Sequence, residues 1–228
     1  MKKIGMVVAI NDELLAVFDR FGAPKESRTY GSRDLHIYEN GEITWYVLHC
    51  GAGEIGAAAA TELLIDVYHV DSILNFGVVG GLTKEMALMR TVIVERVVHY
   101  DYDCSEFDPV LPAQYPEYPD VYIPATESYV KKVREAHPEL KSVILASGDK
   151  FISSAERKAE LNAKYGAEIC DMEGAGIALT CNRSGVPFLM IKTISDGIED
   201  GAEGFARSVR ASALFCFDIA KELFGGIL

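Results

Sequence analysis

The sequence predicts an α/β fold: one domain over residues 1–228, with a mixed, mainly parallel central sheet and helices on both faces. Three observations carry that expectation. Short β-branched apolar runs alternate along the chain with longer segments whose apolar residues recur at helical spacing. One early Asn40-Gly41 pair, flanked by alternating runs, is a type I′ hairpin signal inside this otherwise parallel pattern. No repeat, low-complexity tract or linker divides the 228 residues. A chain of that length buries roughly 70% of its unfolded surface, so no disulfide or metal is needed to hold it.

Each element follows from its residues. Lys3–Ile10 is continuously apolar, as a strand buried on both faces should be. Its short apolar run ends at Asn11-Asp12-Glu13 with no small-residue cleavage site, so it reads as a strand and not as a leader. Asn11 is expected to cap a helix with the stripe Leu14, Leu15, Phe18 and Phe21, ended by Gly22. Arg33–Glu39 and Glu42–Cys50 form the hairpin. A glycine turn, Gly51–Gly56, leads to a helix over Ala57–Tyr68. A strand over Ser72–Val79 ends in Gly80-Gly81, and another spans Thr91–His99. Tyr100–Pro124, with five prolines and six acids, is too long to be a mere connector. The alternation then resumes: helix Glu127–Ala136, strand Ser142–Ala146, helix Ser153–Tyr165 with a Ser153-x-x-Glu156 capping box, strand Ala167–Asp171, helix Gly174–Arg183, strand Phe188–Ile194 and helix Phe205–Phe224.

Composition removes several functions. Thirty-four acidic against 22 basic side chains leave a net charge of −12. A nucleic-acid partner, which needs basic patches to displace counterions, is therefore not expected. No run of eighteen apolar residues exists, so no membrane span is expected. Five scattered cysteines without a C-x-x-C pair argue against structural zinc and disulfides, and fit a reducing cytoplasm.

Some motifs mislead. Gly51-Ala52-Gly53-Glu54-Ile55-Gly56 matches the dinucleotide fingerprint G-x-G-x-x-G. It follows the second arm of a hairpin, not the first strand of a βαβ unit, and no acid ends the next strand to hold a ribose. A tight turn for close helix packing is the better reading. Ser147-Gly148-Asp149-Lys150 fits S-x-x-K without its companion motifs. Asp101, Asp103, Glu106 and Asp108 lack the glycine and terminal glutamate of a calcium loop. His99 reads as structural. No metal and no cofactor is implied.

In an open α/β sheet, ligands bind beyond the carboxyl ends of the strands. Those ends carry Glu13, Gly77–Gly81, Ser147–Ile152, Met172-Glu173 and Ser195-Asp196. Each acid alone is as well explained as a helix cap; three on one rim point to acid–base chemistry. At these residues the chain resembles the nucleoside phosphorylase and nucleosidase superfamily, and most of all its bacterial 5′-methylthioadenosine/S-adenosylhomocysteine nucleosidases. The resemblance runs in order through Ile4-Gly5 to Glu13, Cys50-Gly51-Ala52-Gly53, Asn75-x-Gly77-x-x-Gly80-Gly81-Leu82 and His99 to Phe107. It continues through Ser147-Gly148-Asp149-x-Phe151-Ile152, Asp171-Met172-Glu173-Gly174-Ala175 and Ile194-Ser195-Asp196.

The resemblance implies a phosphorylase/hydrolase-like fold and a small-molecule nucleoside substrate cleaved at its N-glycosidic bond. By that likeness Asp196 protonates adenine N7, Glu13 orients and deprotonates water, and Glu173 holds the ribose hydroxyls. Met172 packs on the sugar, Phe151 stacks on adenine, and the Ile152 main chain reads the base edge. Val78 and Ser195 belong to the same pocket. Phe107 and Phe205 wall the 5′-substituent, the first borrowed from a partner, which implies a homodimer. Four features depart from the family. Val78 stands where a serine is usual, and Lys192 replaces an arginine near the attacking water, with different hydrogen-bonding geometry. The turn after Asp196 is short and acidic, and the loop after His99 loses its usual aromatic and glutamine.

Two competitors remain. A phosphorylase of the same superfamily needs arginine and glycine-turn amides for a phosphate dianion. Here the first turn carries Asn11-Asp12-Glu13 and the arginine's place is held by Asn75, so hydrolysis is favoured. A nucleoside-binding sensor is permitted by Val78 and Lys192, but Glu13, Glu173 and Asp196 argue for catalysis.

Overall fold

A computed structural model describes residues 2–227. Its elements, in chain order, are β1 (Lys2–Val8), α1 (Asn11–Phe21), β2 (Glu26–Tyr30), β3 (Arg33–Asn40), β4 (Ile43–His49), α2 (Glu54–Asp66), β5 (Ser72–Gly81) and β6 (Thr91–His99). They continue with β7 (Ile123–Pro124), α3 (Glu127–Ala136), β8 (Lys141–Ser147), α4 (Ala155–Tyr165), β9 (Ile169–Asp171), α5 (Gly174–Ser184), β10 (Phe188–Asp196) and α6 (Gly201–Ile227). The chain is a single α/β domain around one mixed sheet. β1 is parallel to β4 and β5, and β5 is parallel to β10. The hairpin forms, pairing Asn40 with Ile43, but its loop is Gly41-Glu42 and only Gly41 takes a positive φ, 61°, which is the demand of a type II′ turn and not of the expected type I′.

The sheet is not open. β10 pairs with both β5 and β6, and β6, β8 and β9 follow in turn. β9 then returns antiparallel onto β5 through Gly80–Cys170 and Gly81–Ile169. These five strands close into a barrel-like ring, and β1, β4, β3 and β2 extend from it as a curved flap. The sheet is mixed, as expected, but closed: ring closure sets β6 antiparallel to β10 and β9 antiparallel to β5, while the β2–β3, β3–β4 and β6–β7 pairs supply the other antiparallel contacts. Against the ring, α6 packs on β10, β5 and α1, while α2 and α5 pack on each other. The core is continuous from Ile4, Met6 and Val7 through Phe76 and Phe188 to Phe217 and Phe224.

Several boundaries move for physical reasons. β2, absent from the sequence reading, is a polar and largely exposed edge strand that no apolar alternation could reveal. Asn11 is the first helical residue of α1 and not its cap. The orphan amides there are met by the Glu13 carboxylate, which accepts from Ala9 N and Ile10 N. α2 begins at Glu54, three residues early. Ser154, and not Ser153, caps α4 by accepting from Arg157 N at 3.2 Å. α6 starts at Gly201, four residues before Phe205. Within β10 the register against β5 shifts between Ile194 and Asp196. That bulge at Ser195 re-aims the residue that follows it.

Candidate active site

Glu13, Val78, Phe151, Met172, Glu173, Ser195, Asp196 and Phe205 line one cavity of about 200 Å³. A narrow extension of about 30 Å³ is bounded by Phe151, Ile152 and Asp196. Wider surface depressions exist, one of about 740 Å³ beside β6 and α3, but exposed side chains of both signs, such as Glu127, Lys131, Arg134 and Glu135, line it. Phe107 is not brought into the cavity of its own chain; it stands 77% exposed on the 100–124 loop.

Glu13 is fixed by three backbone donors: Ala9 N at 3.1 Å and Ile10 N at 3.3 Å to one oxygen, Val78 N at 3.0 Å to the other. The contact at position 78 is made by the main chain, so valine serves it as well as serine would. A Cβ on Gly77 would fall 2.4 Å from Glu13 Oε1 and 3.5 Å from Lys192 Nζ, which is why this strand passes the carboxylate as a glycine. Burial pushes the Glu13 carboxyl up, with the Lys192 ammonium and the three amides pulling the other way.

Glu173 sits at the N-cap position of α5 without capping it. Asp171 does that, its Oδ1 accepting from Glu173 N and Gly174 N. The Glu173 carboxylate instead accepts from Gly53 N at 3.0 Å and Met172 N at 3.2 Å. Asp149 takes the next amide of α2, Glu54 N, at 2.8 Å. The glycine turn that imitates a dinucleotide fingerprint thus has its helix N-terminal amides occupied by the protein's own carboxylates. Burial, then the neighbouring Asp171 charge, push Glu173 up to about 7.

Asp196 is 2% exposed. Its Oδ1 accepts from Ser195 Oγ at 3.1 Å, and its Oδ2 is held by Lys158 Nζ at 2.7 Å. Burial raises its carboxyl; Lys158 and Ser195 oppose that rise. Phe151 meets Phe205 edge to face, with ring centroids 5.5 Å apart. Phe151 is 48% exposed.

Sequence reasoning missed three groups. Lys158 hides on a polar helix; its only signal is the i, i+3, i+7 stripe with Leu161 and Tyr165. Asp171, read only as part of a motif, forms an ion pair with buried Lys192 at 3.0 Å and links it to Ser147. Glu54, read as part of a turn, is buried. Ser147 Oγ lies 2.5 Å from both Glu54 Oε1 and Asp171 Oδ1. One hydroxyl carries one proton, so a carboxyl must supply the second. Asp171 faces the Lys192 cation, hence Glu54 is the group that holds a proton and donates it to Ser147. Desolvation first, and then the charge of Asp171, push Glu54 up to about 8.

A carboxyl raised in the folded state favours folding while it is protonated. That contribution is complete below the ordinary value near 4.5 and fades as pH rises through about 8. Glutamine in place of Glu54 can still donate to Ser147 and accept from Gly176 N. The Glu54→Gln variant should therefore match the parent in thermal unfolding near pH 5 and exceed it by a few kcal/mol near pH 9. Parallel unfolding curves for the two proteins across that range would refute the stored proton.

The chain matches the model of the phosphorylase superfamily over residues 3–227. It is 31% identical to an aminodeoxyfutalosine nucleosidase of Helicobacter pylori, over 98% of this chain and all of that one. A 5′-methylthioadenosine/S-adenosylhomocysteine nucleosidase of Maridesulfovibrio salexigens is 30% identical, over 97% of this chain and all of that one. Among solved structures, a Helicobacter pylori 5′-methylthioadenosine/S-adenosylhomocysteine nucleosidase complexed with a pyrrolopyrimidine–pyrrolidine compound superimposes with a TM-score of 0.91 at 28% identity, covering 98% of both chains. With the three carboxylates, the glycine strand and the ring-closed fold accounted for, the chain belongs to the phosphorylase superfamily, and its relatives there are nucleosidases.

Proposed function

We propose that this protein hydrolyses the N-glycosidic bond of a 5′-substituted adenosine, such as 5′-methylthioadenosine or S-adenosylhomocysteine, releasing adenine and the ribose derivative. The observation that carries this reading is the convergence of Glu13, Glu173 and Asp196 on one cavity. Cleavage places positive charge on the ribose and negative charge on the departing purine. Asp196 gives its proton to N7, so the C–N electron pair leaves on a neutral base. Glu173 opposes the oxocarbenium charge and holds the ribose hydroxyls. Glu13 takes the proton of the attacking water. Lys192, paired with Asp171, keeps the neighbourhood from accumulating three uncompensated carboxylates.

Water is favoured over phosphate by the same geometry. The amides of the α2 turn are already taken by Glu173 and Asp149, and an anionic Glu13 would repel a dianion. Product analysis tests this: free ribose derivative should form at equal rate with and without phosphate, and a phosphate-dependent sugar 1-phosphate would overturn hydrolysis. The same panel should include aminodeoxyfutalosine, because two of the relatives, at 31% and 32% identity, carry that activity in their names. Exposed Phe107 and Leu111 on the 100–124 loop support assembly as a homodimer in which Phe107 covers the partner's 5′-pocket. Five unpaired cysteines support a reducing, cytoplasmic setting.

A further inference from the structure

We infer that Lys158 is the positioning residue of the proton donor: it holds the Asp196 carboxyl in the cavity wall and receives the negative charge left there when the proton goes to the base. The inference rests on the proposed role of Asp196. Lys158 is 0% exposed, on the apolar stripe of α4, where a leucine or methionine would pack without the penalty of burying an ammonium. Its Nζ donates to Asp196 Oδ2 at 2.7 Å and to the adjoining Gly197 carbonyl at 2.6 Å. The other titratable groups facing Asp196 are Asp200 in the following turn and Cys170 on β9. Among these, Lys158 is the cation.

The connection to the base is covalent and short. Phe151 and Ile152 lie on the segment that runs directly into α4, whose first turn is fixed by Ser154 accepting from Arg157 N and Lys158 N. Lys158 therefore ties the wall that receives the purine to the acid that protonates it. In the step itself the Asp196 O–H bond breaks, the N7–H bond forms, and the glycosidic electron pair passes to the purine. Lys158 keeps all its protons. Its ammonium stabilises the new carboxylate, which makes Asp196 a stronger acid at the moment of transfer.

The test is Lys158→Met, assayed with 5′-methylthioadenosine across pH. Loss of the cation should lower kcat by about tenfold or more with little change in KM, and should move the alkaline limb of the kcat profile up by about one pH unit or more. Lys158→Arg, which keeps the charge but moves its contact point, should retain the limb and lose part of kcat. In an Asp196→Asn background, adding Lys158→Met should bring no further kinetic loss. A folded Lys158→Met protein with the parental kcat and limb would overturn the inference, as would an additive loss in the double variant. Should Lys158→Met fail to fold, Lys158→Arg decides alone: a displaced limb with unchanged kcat overturns it. The outcomes are separable from the proposed function, because a fully active Asp196→Asn protein sinks the role of Asp196, whereas an inactive one beside an unaltered Lys158→Met protein sinks only the role of Lys158.

Discussion

Replacing Asp196 by asparagine is expected to cut kcat for adenine release by about 10²- to 10⁴-fold while leaving nucleoside affinity within a few fold. An amide at this position can still accept from Ser195 and from the 6-amino group of adenine, but it has no proton that N7 can take. The variant also leaves the buried Lys158 ammonium without its counterion, at a cost of about 3–5 kcal/mol to stability. Unfolding must therefore be measured beside turnover, so that an inactive protein is shown to be a folded one. In the proposed role the same carboxyl should also set the choice of purine. A 6-oxo group would face an acceptor and leave a buried polar atom unpaired, which costs roughly 1–3 kcal/mol. Adenosine derivatives should accordingly exceed the matching inosine derivatives by about ten- to a hundredfold in kcat/KM. Undiminished turnover in Asp196→Asn, or inosine as the better substrate, would remove Asp196 from the role of general acid.

The second large effect is expected at Glu13. Its two oxygens accept from three main-chain donors, Ala9, Ile10 and Val78. Glutamine can turn its carbonyl toward Ala9 and Ile10, but its NH₂ then faces the Val78 N–H. Glu13→Gln should lower turnover by at least about 10², the low end for losing a positioned base. It should also destabilise the protein by about 1–3 kcal/mol through the unpaired donor. Adenine binding, for which the Phe151 and Ile152 segment is the proposed site, should be little altered. Turnover near that of the parent in a folded Glu13→Gln protein would show that another group activates the water.

The parts of this molecule that sequence reading reached are those with local causes. The Asn40-Gly41 pair marked the hairpin because Gly41 takes the positive φ its loop demands, and Gly22 ends its helix with positive φ for the same reason. Glu13, Glu173 and Asp196 were legible because each directly follows, or stands just beyond, an apolar strand. What was not legible depends on partners far away in sequence. Ring closure rests on the short β9 meeting β5 at Gly80 and Gly81, which no periodicity marks. The expected rim of carboxyl ends, by contrast, is present: Glu13, Val78, Phe151, Met172–Glu173 and Ser195–Asp196 stand at or beyond the ends of β1, β5, β8, β9 and β10 and line one cavity. What the sequence did not mark is the antiparallel pairing of the end of β5 with the start of β9, which brings those ends round to one place. Lys158 and Glu54 escaped notice because a charged residue on a helix reads as solvent-facing until the structure shows what covers it.

The closed ring has a consequence for the life of the chain before it is complete. Of the three carboxylates that converge on the cavity, the first appears at residue 13 and the last at residue 196, and the strand bearing the last is also the one that joins β5 to β6. A nascent chain that has emerged only through α5 contains the hairpin, most helices and two of the three acids, yet it has neither a closed ring nor Asp196, the proposed general acid. Long-range pairings of this kind close after the local ones have formed, because the intervening loop must be ordered first. Reactivity toward a glycosidic bond is thus withheld until β10 is in place, and it arrives together with the closing of the ring.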